Sequence, residues 1–227
     1  MIAGNLMQQL YNIADTLIVG QALGKNALAA VGSAYTLMTF LTSVFLGLSM
    51  GAGALFSIDL GRRDEAALRR AVGHAFGLIL LVTLALNAAV YLWLDAILRF
   101  LQIPAELYAS MRTYLAIIFA GLLATFLYNF FACLLRAVGN SVAPLWFLAA
   151  AAVLNVGLDL LFVLGFSWGV AGAAIATVIA QYVSGVGLAV YTVLRCRELL
   201  PRRGDLRFDR ATLAALLDLS LLTCAQQ

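Results

Sequence analysis

Long runs without a charged residue are the feature of this sequence that most restricts its fold. Residues 33–58, 71–94, 113–135 and 160–194 contain no Asp, Glu, Lys or Arg and are rich in Leu, Ala, Val, Phe and Gly. About 20 such residues in a helix cross the hydrocarbon of a bilayer, where the backbone must bond to itself. The sequence therefore predicts an all-α polytopic membrane protein.

The composition excludes several other classes of protein. Of the 227 residues, 64% are hydrophobic and 11% are charged, whereas soluble domains have roughly 45–50% and 25%. Disordered, collagenous and secreted disulfide-rich chains are excluded by the same figures, and a net charge of +3 is too small to favour a nucleic-acid partner. The three cysteines are scattered without a CxxC spacing, so no disulfide framework or cysteine metal site is predicted.

We predict a six-helix bundle followed by the beginning of a seventh helix. A glycine-rich turn around Trp168, at residues 165–172, divides the longest apolar run in two. The predicted spans are about 1–20, 33–57, 71–94, 110–135, 142–164 and 170–194. The domain organisation that follows is a transmembrane lobe over 1–194, a polar linker over 195–210 and the beginning of helix 7, in a truncated second lobe, over 211–227.

The basic residues predict the orientation in the membrane. Eleven of the 14 Lys and Arg residues lie in the loops after the second, fourth and sixth predicted spans, and only Lys25, Arg99 and Arg112 lie on the other side. Because basic loops remain in the cytoplasm, we expect the N-terminus and the 195–210 linker to be cytoplasmic. The N-terminus lacks the regions of a signal peptide, so we expect it to lie within or just before the first helix.

Polar residues inside the apolar spans are the candidates for function. A carboxylate at the centre of a membrane helix costs about 2.5–3.5 kcal/mol and marks a functional site by default. Asp15 and Asp159 are such residues, although solvation by headgroups near a helix end is an open alternative for both. The stripes that share a helix face are Asn5, Gln8, Asn12 and Asp15 in the first span, with Tyr11 beside them; Asn155 and Asp159 in the fifth; and Thr177, Gln181 and Ser184 in the sixth.

Four of these residues form a set of hard oxygen ligands: Asp15, Asn155, Asp159 and Thr177. Such a set suits Na⁺, and a membrane-embedded carboxylate can equally carry a proton, so the sequence leaves the ion open. Structural bonding between helices is an alternative role for Gln181 and Ser184. His74 is interpreted as an interface residue. No nucleotide-binding or hydrolase motif occurs, so neither an enzyme nor a cofactor is expected.

Five segments of the sequence form a recognisable combination: QQLYNIADTLIVGQALGKNALAAVG (8–32), LGRRDEAALRRAV (60–72), LLRAVGNSVAPL (134–145), LNVGLDLLFV (154–163) and GVAGAAIATVIAQ (169–181). An Asp in the first span with Asn-xxx-Asp in the fifth is the most specific feature. In these features the chain resembles the multidrug and toxic compound extrusion (MATE) transporters, in particular the bacterial branch similar to the DNA-damage-inducible protein F.

The resemblance implies the N-terminal lobe of a twelve-helix antiporter in the bacterial inner membrane. A C-terminal six-helix lobe, absent from this sequence, is then an expected partner. The resemblance also implies that Na⁺ or H⁺ binds at Asp15, Asn155, Asp159 and Thr177 and is exchanged for an organic, often cationic, compound. By the same resemblance, the residues that line the substrate cavity are Gln8, Tyr11, Asn12 and Asn129.

Three alternatives to an antiporter remain open. A lipid-linked oligosaccharide flippase of the same superfamily would be favoured by a cationic cavity, but the predicted spans contain no embedded Lys or Arg. A non-transporting receptor or assembly protein is suggested by the count of seven helices and would recruit a cytoplasmic partner without substrate flux. The third alternative is a truncated product without activity of its own.

Overall fold

The computed structural model describes residues 38–100, 105–201 and 209–224. No strand occurs in these ranges, which confirms the all-α prediction. The first predicted span lies outside them. The helices are α1 (Met38–Gly61), α2 (Glu65–Phe100), α3 (Ala105–Ala120), α4 (Leu122–Ala137), α5 (Val142–Asp159), a π-helical turn (Leu160–Gly165) that continues α5, α6 (Gly169–Arg195), a 3-10 turn (Arg197–Leu199) and α7 (Arg210–Cys224).

Five helical segments of the described chain are long and apolar enough to cross a membrane. They correspond to the second to sixth predicted spans, but α2 is much longer than the 71–94 expected. It has 36 residues and a kink at Trp93, with Glu65 in its first turn and Arg99 in its last. These charges complement the helix dipole, so the helix continues past the apolar run from which its limits were predicted.

The fourth predicted span, 110–135, is not one continuous helix. It is interrupted at Gly121, between α3 and α4, without a proline. Side chains of neighbouring helices donate hydrogen bonds to carbonyl groups beside the interruption, which stabilises irregular backbone within the membrane. The bonds join Asn87 Nδ2 to Phe119 O (2.7 Å), Tyr91 Oη to Ala116 O (2.6 Å) and Tyr182 Oη to Ala120 O (3.0 Å).

Helix α6 packs against α3, α4 and α5 and is central to the described bundle. It comes close to α4 at Gly185, where a Cβ atom would collide with the carbonyl oxygen of Ala124. A small residue at this position allows the two backbones to touch, as is usual for helix pairs in membranes.

Two apolar clusters fill the two ends of the bundle. One joins the beginning of α1, the end of α2, α3 and the beginning of α6; the other joins the end of α1, the beginning of α2, α4 and the end of α6. Among the fully buried side chains, the first cluster contains Phe45, Leu98, Met111, Leu115 and Phe119, and the second contains Phe56, Ile79, Phe126, Leu134 and Leu135.

The seventh apolar segment, expected to open at Ala211, forms a helix that begins at Arg210 and packs on α1 and α2. Thr223 Oγ1 donates to the carbonyl of Gly47 in α1 (2.7 Å). At the other end of α7, the backbone N–H of Asp209 donates to Nε2 of His74 in α2 (3.1 Å). Helix α7 is therefore attached to α1 and α2 by hydrogen bonds as well as by apolar packing.

Candidate functional site

The site is built on α5 and α6, which are adjacent in the chain and antiparallel in the bundle. Asn155 and Asp159 are four residues apart on α5 and therefore share a face. The expected turn between the two spans lies at residues 166–168, with positive φ angles at Ser167 (56°) and Gly169 (62°). This tight connection returns the chain so that Thr177 of α6 faces α5.

Three of the four predicted cation ligands lie in these two helices. Asn155 and Asp159 have no exposed surface, and Thr177 is 9% exposed. Asn155 Nδ2 donates to Thr177 Oγ1 over 3.4 Å, which is a long hydrogen bond. Asn155 Oδ1 is buried without a hydrogen-bond partner within the described part of the chain. Since burying such an acceptor costs free energy, the structure places a polar site inside an otherwise apolar pair of helices.

A π-helical turn, Leu160–Gly165, follows Asp159 directly. Segments of π-helix are rare and occur frequently at functional sites, because they change the direction in which a helix presents its side chains. Phe162, Phe166 and Trp168 stack at the far end of this turn, with ring centroids 5.0–6.0 Å apart. The buried carboxylate is thus at the junction between regular and distorted helix, a feature that no residue pattern predicted.

The other predicted site residues divide into two groups. Asn129 lies on α4, is half-buried, and donates from Nδ2 to the carbonyl of Thr125 in its own helix (2.9 Å). The remaining predicted residues, Asp15, Gln8, Tyr11 and Asn12, lie outside the described residues. The completion of the site by a second carboxylate therefore remains a prediction.

The donor set consists of an amide, a hydroxyl and one carboxylate. No group of three His, Cys, Asp or Glu side chains that could hold a metal ion occurs in the described ranges. The atoms present are hard oxygen donors, which suit an alkali cation or a hydrated proton better than a transition metal. The unpartnered oxygen of Asn155 fits such an ion, because it has a lone pair to offer beside Thr177 and Asp159.

Gln181 and Ser184, for which bonding between helices was the alternative role, have different surroundings. Ser184 Oγ donates to the carbonyl of Gln181 in its own helix (3.0 Å), a bond within α6 rather than between helices. Gln181 Oε1 is buried without a hydrogen-bond partner among the residues described. The stripe spacing of Thr177 and Gln181 was visible in the sequence, but the contact of Gln181 with Gly121 required the three-dimensional packing.

His74, interpreted from the sequence as an interface residue, also makes a contact that the sequence did not predict. Its Nε2 accepts a hydrogen bond from the Asp209 amide, so the ring proton must be on Nδ1, which lies 2.8 Å from the carbonyl oxygen of Arg70. The imidazole therefore links α2 to the residue that precedes α7. No sequence signal connects two residues 135 positions apart.

Comparison with known proteins decides the family. The model of the MatE family matches residues 1–161. The chain belongs to the MatE family. This confirms the resemblance to MATE transporters that the motifs indicated. The chain is 34% identical over 178 residues to the probable multidrug resistance protein YpnP of Bacillus subtilis, with 78% of this chain and 40% of that protein covered. It is 28% identical over 204 residues to the probable multidrug resistance protein NorM of Thermotoga maritima, with 88% and 44% covered.

Solved MATE structures share the fold. A crystal structure of MATE in the bent conformation superposes with a TM-score of 0.91 at 25% identity, covering 99% of this chain and 50% of that one. An outward-facing multidrug resistance MATE family transporter of the MOP superfamily gives a TM-score of 0.90 at 24% identity, with the same coverage. The chain thus spans about half the length of its MATE relatives, as expected for the N-terminal lobe.

Proposed function

We propose that the protein to which this lobe belongs exports an organic, often cationic, compound across the inner membrane in exchange for an inward-moving Na⁺ or H⁺. The observation that supports this proposal is the buried oxygen site at Asn155, Asp159 and Thr177 in two membrane-spanning helices. The names of the relatives, probable multidrug resistance proteins, support export of foreign compounds.

In this proposal the cation binds between α5 and α6. The Asp159 carboxylate supplies the charge, Thr177 and Asn155 supply neutral oxygens, and the predicted Asp15 completes the set. Because an ion can shift an equilibrium only through its different affinity for two states, the site must change geometry between the outward-facing and inward-facing forms. Substrate binds in a cavity lined by Gln8, Tyr11, Asn12 and Asn129 and completed by the second six-helix lobe.

The orientation forms part of the proposal. The turns after α1, α4 and α6, in or beside which most of the basic residues lie, face the cytoplasm, and the turns after α2 and α5 face the outside. With this orientation, α6 leads from the outer turn, past Thr177, to the basic cytoplasmic end at Arg195.

The test uses the full-length gene product in proteoliposomes, with efflux of a fluorescent organic cation followed under an imposed Na⁺ or H⁺ gradient. Asp159→Asn should abolish gradient-driven efflux, because the amide cannot supply the charge that binds the ion. Asp95→Asn is the matched control, since Asp95 is an exposed carboxylate paired with Arg112 at 3.1 Å. Normal coupled efflux by Asp159→Asn would refute the site assignment. Absence of flux in the unmodified protein under both gradients would favour the flippase or the non-transporting alternatives.

A further inference from the structure

Gln181 is a polar residue of α6 that the proposed cation site does not use. It lies one helical turn beyond Thr177 on the same face, about 6 Å along the axis at 1.5 Å per residue. Its carboxamide oxygen Oε1 is buried and has no hydrogen-bond partner among the described residues, as is also true of Asn155 Oδ1. Two unpartnered acceptor oxygens therefore flank Thr177 within the membrane.

The position of this carboxamide depends on the interruption between α3 and α4. Gly121 leaves the space that the Gln181 oxygen occupies, since a Cβ at residue 121 would collide with Oε1 and come within 3.2 Å of Val178 Cγ2. Any larger residue at position 121 would displace the carboxamide.

The carboxamide is not needed to stabilise the interruption itself. The carbonyl of Ala120 accepts the hydroxyl of Tyr182, and the N–H of Gly121 donates to the carbonyl of Ile118 (2.9 Å). The carbonyl of Gly121 accepts both the N–H and the hydroxyl of Thr125. The polar backbone is thus satisfied by other groups. A buried acceptor left over from such a network costs free energy, so its retention needs another reason.

We propose that Gln181 Oε1, held against Gly121, is a second and weaker binding site for the coupling cation, here called the station. The cation would pass it between the Asn155–Asp159–Thr177 site and the arginine-rich end of α6. This inference rests on the proposed function. The ligand is a monovalent cation that takes oxygen ligands, Na⁺ or hydronium. A neutral amide oxygen binds the ion only weakly, so the ion can leave again. Conduction along a path with several sites requires such weak binding.

Two substitutions remove the station by independent routes. Gln181→Leu deletes the oxygen and puts an apolar side chain in its place. Gly121→Ala leaves Gln181 in the chain but places a methyl group where its oxygen lies, so the flexible end of the Gln181 side chain must move away; the methyl group also lies 3.0 Å from the carbonyl oxygen of Ile118. Gln181→Glu retains an oxygen donor at the same place. Gly77→Ala is the matched control for the glycine substitution, because a Cβ there meets no atom within 4 Å.

The measurement is gradient-driven efflux in proteoliposomes, with the ion that drives the unmodified protein, recorded over a range of ion concentrations. Gln181→Leu and Gly121→Ala should each lower the maximal rate about tenfold, because the ion must cross the gap without its intermediate ligand. The half-saturating ion concentration should change by less than about threefold, since the main site is intact. Gln181→Glu should retain efflux and Gly77→Ala should behave as the unmodified protein.

The outcomes separate this inference from the proposed function. Unmodified maximal rates in Gln181→Leu and Gly121→Ala, with Asp159→Asn inactive, would overturn the station and leave the proposed function standing. A rise in half-saturating concentration without a loss of maximal rate would also overturn it, because Gln181 would then belong to the main site. If one variant fails to reach the membrane, the other decides. Activity in Asp159→Asn would instead overturn the proposed function itself.

Discussion

Substitution of Gly185 by alanine should separate α4 from α6 and destabilise the lobe. Gly185 is buried, and the added Cβ would collide with the Ala124 carbonyl oxygen and lie 3.2 Å from the Ala124 carbonyl carbon. These neighbours are backbone atoms of α4, so no side-chain rotation can relieve the contact. One of the two helices must move.

The magnitude follows from two opposing contributions. Replacing glycine by alanine inside a helix stabilises it by about 1 kcal/mol through backbone propensity. Forcing one extra methyl group into a packed interface costs about 1–3 kcal/mol. Gly77→Ala has only the first contribution, because its Cβ points into open space on an exposed position of α2. Gly185→Ala should therefore be less stable than Gly77→Ala by about 1–3 kcal/mol, or about 2–12 °C in Tm for a chain of this size.

The assay is thermal unfolding of the two purified variants and the unmodified protein in one detergent, followed by circular dichroism at 222 nm. Both variants replace one glycine by alanine in a long transmembrane helix, so the two proteins have the same amino-acid composition and differ only in the position of the change. A midpoint for Gly185→Ala equal to or above that of Gly77→Ala would refute the argument that α4 and α6 touch through their backbones here.

Two further predictions concern the polar end of the lobe. His74→Leu removes the acceptor of the Asp209 amide; since such a bond contributes about 0.5–1.5 kcal/mol, amide exchange at the start of α7 should accelerate several-fold, and unchanged exchange would show that the link is unimportant. Burial raises the pKa of the Cys196 thiol, and the negative charge of Glu198 raises it further. A raised pKa means less thiolate at pH 7, so Cys196 should react slowly with maleimide in a protein whose other two cysteines are replaced by alanine. The reaction should be faster when Glu198→Gln is added to that protein. Equal or slower alkylation in Glu198→Gln would contradict this cause.

The transmembrane spans could be predicted because charged residues are rare in them and frequent between them. The turn between α5 and α6 was also visible, since glycine and Trp168 interrupt an apolar run longer than one crossing requires. The break at Gly121 was not, because glycine occurs often in membrane helices and this one differs only in what donates to the carbonyls around it.

The site was predictable in part. The spacing of Asn155 and Asp159 is a property of one helix, so the sequence contains it directly. The contact of Asn155 with Thr177 depends on how two helices pack, and only the stripe on α6 and the family resemblance indicated it. The π-helical turn after Asp159 has no residue signature, because it arises from hydrogen-bond register rather than from side-chain chemistry.

The length of α2 determines how this lobe can move. Its charge-free interval, residues 71–94, measures about 36 Å at 1.5 Å per residue, against a hydrocarbon thickness of about 30 Å. Arg70 at one end and Asp95 at the other mark the two limits. Sliding the helix by one or two turns along the membrane normal would bring one of these charges into the hydrocarbon, where burial of a charge costs free energy. A change of tilt keeps both charges in the headgroup layers, so we expect α2 to move by tilting rather than by vertical displacement.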